Sequence, residues 1–433
     1  MSGINSTLIK PITSRFLSVL QASFLSFVLS LILALGVVNS KVMAIEVITL
    51  QDAVSLTLQQ HSELKSYAHS QKSAQSLVKQ AGVGTPFTVK LEIEDALGTG
   101  SYSGISSMQT TLGISWLLES DVINSRVKVA SEEVALIEYQ RQAKALDVAA
   151  ETANIFITLL TQQEQMKLAK LAKLQAEKSL KVITIRVNSA KANIIDQLRA
   201  KANLAKKALV VEDLHHEIEA SIAQLAAQWQ GSVNFSVAGT LLNIPSLESL
   251  EKVNQQMTQN PKIRAFSIEQ RIAQSEIALA QVTAKPAWLV TTGIKRNEFV
   301  DDYALTASIA IPFGGENRNQ SKVLALQAKQ GQKQAQSQAL QQRFSTQLLL
   351  LTHQLKHNRH VVEGLSEEII PALELANDKA REAYQTGSYR YTDWYAVQQE
   401  LLTAQFDLIQ AYNSIQLFNI ELERLTGASI ANQ

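Results

Sequence analysis

Three imidazoles in "THQLKHNRH", those of His353, His357 and His360, are spaced i, i+4, i+7. On a helix this spacing puts them on one face, where neutral ring nitrogens can bind a divalent metal. No carboxylate is spaced to complete that face, and a solvated helix surface accounts for the same residues. His215 and His216 point to different sides of a helix. The second stretch is "YQTGSYRYTDWYAV", Tyr384 to Val397, in which five aromatics surround Gly387, Arg390 and Asp393. Such a cluster suits a binding pocket, a base-stacking surface or a turn between two helices.

Composition removes several of these options. The 433 residues carry a formal charge of only +1, so the basic face that nucleic acid requires is missing. There is no cysteine. Disulfides, thiolate metal sites, a Cys nucleophile and a lipid-modified Cys are therefore excluded. The chain has no P-loop, G-x-S-x-G, H-E-x-x-H or G-x-G-x-x-G pattern. The reading is a non-enzyme without a cofactor, and energy for any transport must come from a partner.

The N-terminus reads as an export signal. Lys10 and Arg15 precede the apolar run "FLSVLQASFLSFVLSLILALGVV", and the small-residue pattern Val42-x-Ala44 follows. Residues 1–44 are thus expected to be a signal peptide, leaving Ile45 as the mature N-terminus. An uncleaved membrane anchor is the rival, since about 20 apolar residues also span a bilayer. No second long apolar run follows.

The elements that must position these residues occur twice. The "AQS" of Ala74–Ser76 recurs at Ala273–Ser275, Pro86 is echoed by Pro286, and Asp196 by Asp393. A repeat of roughly 200 residues is far longer than a solenoid unit. The expected organisation is a first repeat over 45–231, a linker over 232–246 and a second repeat over 247–433. Each repeat has a helical segment, two short alternating stretches, a very long helical segment, a turn and a returning helix. No Gly or Pro interrupts Ile114 to Gln230, which predicts a helix from Asp121 to Val187, about 100 Å long.

The short stretches decide against a simple coiled-coil rod. "FTVKLEIEDA" alternates Phe87, Val89, Leu91 and Ile93 with polar residues, and "TTLGISWLL" sets Leu112, Ile114 and Trp116 apart. "AWLVTTGIK" and "YALTASIAI" repeat the pattern, giving hairpins at about 87–117 and 287–312. Each strand has the length of a tilted bilayer crossing, with Phe87, Trp116, Trp288 and Tyr303 near strand ends. Four strands leave two unpaired edges in lipid, so the chain must associate. Three copies give twelve strands, whereas two give eight and a filled interior.

At this point the chain resembles the TolC family of outer-membrane efflux channels over essentially its whole mature length. The resemblance rests on the duplication, the hairpins and the turn motifs. In that family each half carries an Arg or Tyr, a Gly shortly after it, and an Asp six residues beyond the Gly. Tyr384, Gly387 and Asp393 fit, as do Arg186 and Asp196, but Ala190 stands at the first Gly position. Ala396 stands where relatives carry a further acidic residue, so a cation-selecting carboxylate ring there is not supported. "EEIIPALELANDKAREAYQTGS", "IPFGGENRNQ" and "LERLTG" look most like the CzcC-like, heavy-metal branch serving RND pumps.

The resemblance implies a mainly α fold with a small membrane β part. Four strands per chain would contribute to a homotrimeric 12-stranded β-barrel in outer-membrane lipid, continued by a periplasmic α-helical barrel. It implies a periplasmic adaptor protein and an inner-membrane RND-type pump as partners, with heavy-metal cations as cargo. A duct for type I protein secretion or drug efflux uses the same architecture, and a periplasmic coiled-coil scaffold is the non-channel alternative. The Tyr384–Val397 stretch then becomes the turn at the periplasmic mouth, paired with Val187–Ala200. Arg186, Ala190, Asp196, Tyr384, Gly387, Arg390 and Asp393 are the residues implied in tip structure, adaptor docking and gating. Asp196, Tyr384, Arg390 and Asp393 are the expected contacts holding the mouth closed.

Overall fold

The computed structural model describes residues 46–245, 249–314 and 317–428. The expected signal peptide lies outside the described residues. Strand β1 (Glu46–Ile48) leads into α1 (Leu50–Gln60) and α2 (Ser62–Ala81). Thr49 starts α1 with a reciprocal cap: its Oγ1 accepts from the Asp52 N–H, and its own N–H donates to Asp52 Oδ2 at 3.0 Å. The first hairpin is β2 (Thr88–Glu94) and β3 (Gln109–Leu118).

Helix α3 (Ser120–Asn188) runs unbroken for 69 residues, because nothing in its sequence removes a backbone donor or frees the chain. A tight turn returns the chain as α4 (Ile194–Gln228). The segment expected as a linker contains a strand, β4 (Phe235–Val237), which pairs with β1 and buries Phe235 and Val237.

The second repeat follows with α5 (Leu250–Met257), α6 (Pro261–Ala284), β5 (Trp288–Asn297) and β6 (Asp302–Ala310). Its long helix differs from that of the first. Helix α7 (Gln320–Glu363) passes through a π-helical turn at Gly364–Ile369 before α8 (Ile370–Thr386). Pro371 explains the break. It has no N–H for an i−4 bond and its ring crowds the preceding turn, so the ladder widens locally. The chain returns along α9 (Tyr391–Thr426) and ends in a left-handed Gly427.

The four hairpin strands form one antiparallel sheet in the order β2-β3-β5-β6. Its register carries Leu91 to Leu112 to Ile294 to Leu305 in one transverse row, all exposed. The neighbouring row on the opposite face is Lys90, Gly113, Gly293 and Thr306. One face is therefore apolar and the other polar. Ser115 and Thr291 share a hydroxyl hydrogen bond of 2.8 Å on the polar face. Among the described residues, strands β2 and β6 are unpaired along their outer edges.

The buried core lies elsewhere, among the helices. Val54, Phe156, Leu159, Leu225, Trp229 and Ile420 pack with β1 and β4 in its largest cluster. Phe344, Leu348, Val253 and Leu425 form the counterpart on the second repeat. Asp147 of α3 ties the repeats together, bonding Lys262 of α6 and Arg424 of α9, each at 2.8 Å. Among the described residues, no helix is long and apolar enough to cross a membrane.

Candidate functional site: the paired helical turns

The turns after α3 and α8 are built alike. In the second, Gly387 adopts φ +87° and its N–H donates to the carbonyls of Ala383 and Tyr384 at 3.1 Å. The Ser388 N–H closes the turn on Ala383 O at 3.0 Å. This left-handed cap satisfies carbonyls that the helix end leaves free. In the first turn, Ala190 takes φ +54°, its N–H reaches Val187 O at 2.9 Å, and Lys191 N–H reaches Arg186 O at 2.8 Å. Alanine thus makes the turn that glycine makes in the second repeat, at the steric cost a Cβ incurs at positive φ.

The matching hydrogen bonds also correct the motif alignment. Arg186 corresponds to Ala383 and Val187 to Tyr384, so the Arg and the Tyr are not equivalent positions of the two repeats. They are contact partners. The Arg186 guanidinium lies over the Tyr384 ring, 4.8 Å from its centroid. Its Nη1 donates to Gln385 O at 2.8 Å and its Nη2 to Lys191 O at 3.4 Å.

Each returning helix starts with the same acidic position. Asp196 and Asp393 lie in the first turns of α4 and α9, where a negative charge complements the helix dipole. Asn193 caps α4 by accepting the Ile195 N–H at 2.9 Å. Asp393 accepts two hydrogen bonds from Arg390, at 2.9 and 3.1 Å, and one from Thr392. The Arg390 hydrogen bonds hold its carboxyl below the usual carboxylate range.

The aromatic cluster is the core of this tip. Tyr384, Tyr391 and Trp394 are each at most 4% exposed and pack with Ile183, Ala200 and Ala380 from both repeats. Tyr384 stacks on Trp394 with centroids 5.2 Å apart, and Tyr391 meets both rings edge-on. Burial, aided by nearby Tyr395 and Asp196, pushes the Tyr391 phenol up to about 12, and burial also raises Tyr384. Among the described residues, the Tyr384 hydroxyl and the Trp394 indole N–H have no hydrogen-bond partner. The stretch is neither a stacking surface nor an open pocket, and of its five aromatics only Tyr389 projects into solvent.

The structure therefore brings Arg186, Tyr384 and Gly387 together, and pairs Arg390 with Asp393. Burial places Tyr384 inside its own chain rather than on a free surface. The sequence reading missed the exposed apolar residues Ile185, Ile194, Ile195 and Leu198 around the first turn, the last three of which the run "NIIDQL" displays. His353, His357 and His360 are exposed on α7, and His360 pairs with Glu363 at 3.4 Å, a carboxylate that the spacing argument passed over. Among the described residues, no group of three or more His, Asp or Glu is placed to hold a metal ion.

Residues 53–231 match the family model described as outer membrane efflux protein. The cobalt-zinc-cadmium resistance protein CzcC of Cupriavidus metallidurans is 23% identical over 384 residues, 88% of this chain and 90% of the relative. A CusC structure, described in terms of folding and transmembrane channel formation, has a TM-score of 0.71 at 15% identity, covering 88% of this chain and 92% of the other. The outer membrane protein VceC of Vibrio cholerae has a TM-score of 0.70 at 17% identity, covering 88% and 96%. Identities this low speak to fold. By its family match over residues 53–231 and by its fold, the chain is shown to resemble the outer membrane efflux proteins, the family that its turns and paired hairpins point to.

Proposed function

We propose that this chain is the outer-membrane exit duct of a tripartite efflux system, passively conducting what an inner-membrane RND-type pump expels through a periplasmic adaptor. One observation carries the reading: a four-stranded sheet with an exposed apolar face, a polar opposite face and two unpaired edges. Water and lipid both reject that object in isolation, since open edges in hydrocarbon cost several kcal/mol per unsatisfied group. Three copies joined edge to edge form a twelve-stranded barrel, with the polar rows lining the passage. The helices extend it into the periplasm, and the paired turns form its mouth.

Heavy-metal cations are the proposed cargo, because the relatives include one named for cobalt, zinc and cadmium resistance. In this reading Arg390 and Asp393 contact neighbouring copies or the adaptor at the mouth, and Tyr384 acts from within by setting the shape of the turn. Asp393→Ala combined with Tyr384→Phe is expected to raise antibiotic leakage at normal expression. Unchanged leakage would remove the Asp393 carboxylate and the Tyr384 hydroxyl from the closed mouth, leaving the buried ring to its packing role.

Native mass measurement in detergent tests the duct itself. A trimer is expected, and a water-soluble monomer would overturn the barrel in favour of a periplasmic scaffold. A susceptibility panel on a deletion strain tests the cargo. Sensitivity confined to Zn²⁺, Co²⁺, Cd²⁺, Ni²⁺ or Cu²⁺ supports metal efflux, whereas sensitivity to dyes and antibiotics assigns the duct to a drug pump.

A further inference from the structure

We propose that Arg186 is the positioning residue that couples the two turns of one chain, making the tip of the first repeat and the tip of the second move as one body. The inference rests on the duct reading for its purpose but not for its geometry. Two helical hairpins end side by side on a shared aromatic core. Arg186, near the end of α3, makes four separate approaches there.

Its Nη1 donates to Gln385 O of the opposite turn at 2.8 Å, and Nη2 donates to Lys191 O of its own turn at 3.4 Å. Both acceptors sit at or just past helix C-termini, where free carbonyls and the negative dipole end favour a cation. The guanidinium also lies over the face of buried Tyr384 at 4.8 Å, an attractive placement for a planar cation. Finally, Nη2 lies 3.5 Å from the point where a Cβ on Gly387 would stand. That is an ordinary van der Waals distance, so the missing side chain at Gly387 serves the φ of +87° and the Arg packs directly against the turn.

A lysine cannot reproduce this arrangement, since one ammonium lacks the planar fork that reaches two carbonyls while stacking. The aromatic core joins the hairpins below the tip, but it is apolar packing without direction. Arg186 supplies the directional link at the outermost level, so its loss should free the turns from each other without unfolding the helices.

The absence of native cysteine makes the test clean. Asn188→Cys and Ser388→Cys, one exposed site on each turn, are spin-labelled, and labelled copies are diluted with unlabelled ones in detergent. The full chain should give one narrow inter-label distance. In Arg186→Ala and Arg186→Lys the narrow peak should be lost to a broad distribution, while helical content and melting stay as in the parent. Lys181→Ala, which removes an exposed charge from the same helix, should leave the peak intact. A narrow peak that survives Arg186→Ala overturns the proposal, as does equal broadening in Lys181→Ala. Should Arg186→Ala fail to fold, Arg186→Gln provides the second reading: without the guanidinium fork the distance should broaden, and an unchanged narrow peak overturns the coupling. No transport is measured, so failure here leaves the duct reading to its own tests.

Discussion

Ala190 holds a left-handed backbone conformation that costs an L-residue about 1–2 kcal/mol. Ala190→Gly should therefore strengthen the first turn by about 1 kcal/mol, less what glycine adds to unfolded-state entropy. Slower hydrogen exchange at the Lys191 amide, which closes that turn on Arg186 O, would show it. Tyr391 makes a pH prediction. Its folded-state value of about 12 lies above the ordinary 10, so the contribution is intact below pH 10 and fades as pH rises toward 12. Burial is the main cause, because the packed site disfavours the phenolate. Tyr391→Phe should lessen the loss of tip structure between those pH values, followed by tyrosinate absorbance together with near-ultraviolet circular dichroism. The Gly387 turn and the acidic helix starts were legible in the sequence, since positive φ and helix dipoles select residue types. The Arg186–Tyr384 contact was not, because it depends on a one-residue offset between repeats that only the hydrogen-bond register reveals.

Among the elements, the strands were the easiest to read, because period two writes the two sheet faces directly into the sequence. Leu305 and Thr306 are neighbours on β6 that face opposite sides, and Leu305 is 86% exposed. Leu305→Lys, on the proposed lipid face, should cost about 2–4 kcal/mol if near the bilayer midplane. Thr306→Lys should be tolerated, since it points to the polar side. Heat-modifiable mobility of outer-membrane fractions on gels would separate the two, and equal behaviour would mean the faces are assigned wrongly. The π turn was harder to foresee. Gly364 and Pro371 both stand in "VVEGLSEEIIP", and Pro371 alone argues for an interruption. Nothing local says whether the chain kinks, stops or widens its ladder and continues. Pro371→Ala restores the missing donor, so amide protection across Gly364–Ile369 should rise as the segment reverts to α geometry.

For the whole molecule, sparse echoes such as Pro86 and Pro286 led to the expectation of two repeats, but nothing in the sequence told how the helices of its two halves are fastened. Asp147 grips Lys262 and Arg424 across long sequence separations, and neither spacing nor periodicity encodes such a meeting. All three side chains are partly solvated, so Asp147→Ala should cost only about 1 kcal/mol, with the difference shrinking in high salt. Thermal melts of the detergent-solubilised protein at two ionic strengths would check this. The strand β4 was missed for a related reason: three residues are too few to show alternation, and β1 across the fold completes the pair.

The two bare edges of the sheet also bear on inheritance. The proposed barrel would use an edge from each of two copies at every seam, so one faulty β2 or β6 would spoil an assembly whose other members are sound. Alleles damaged there should be dominant when co-expressed with the intact gene, whereas alleles damaged in the cores around Leu348 or Phe156 should be recessive, because chains that fail to fold never reach the seam.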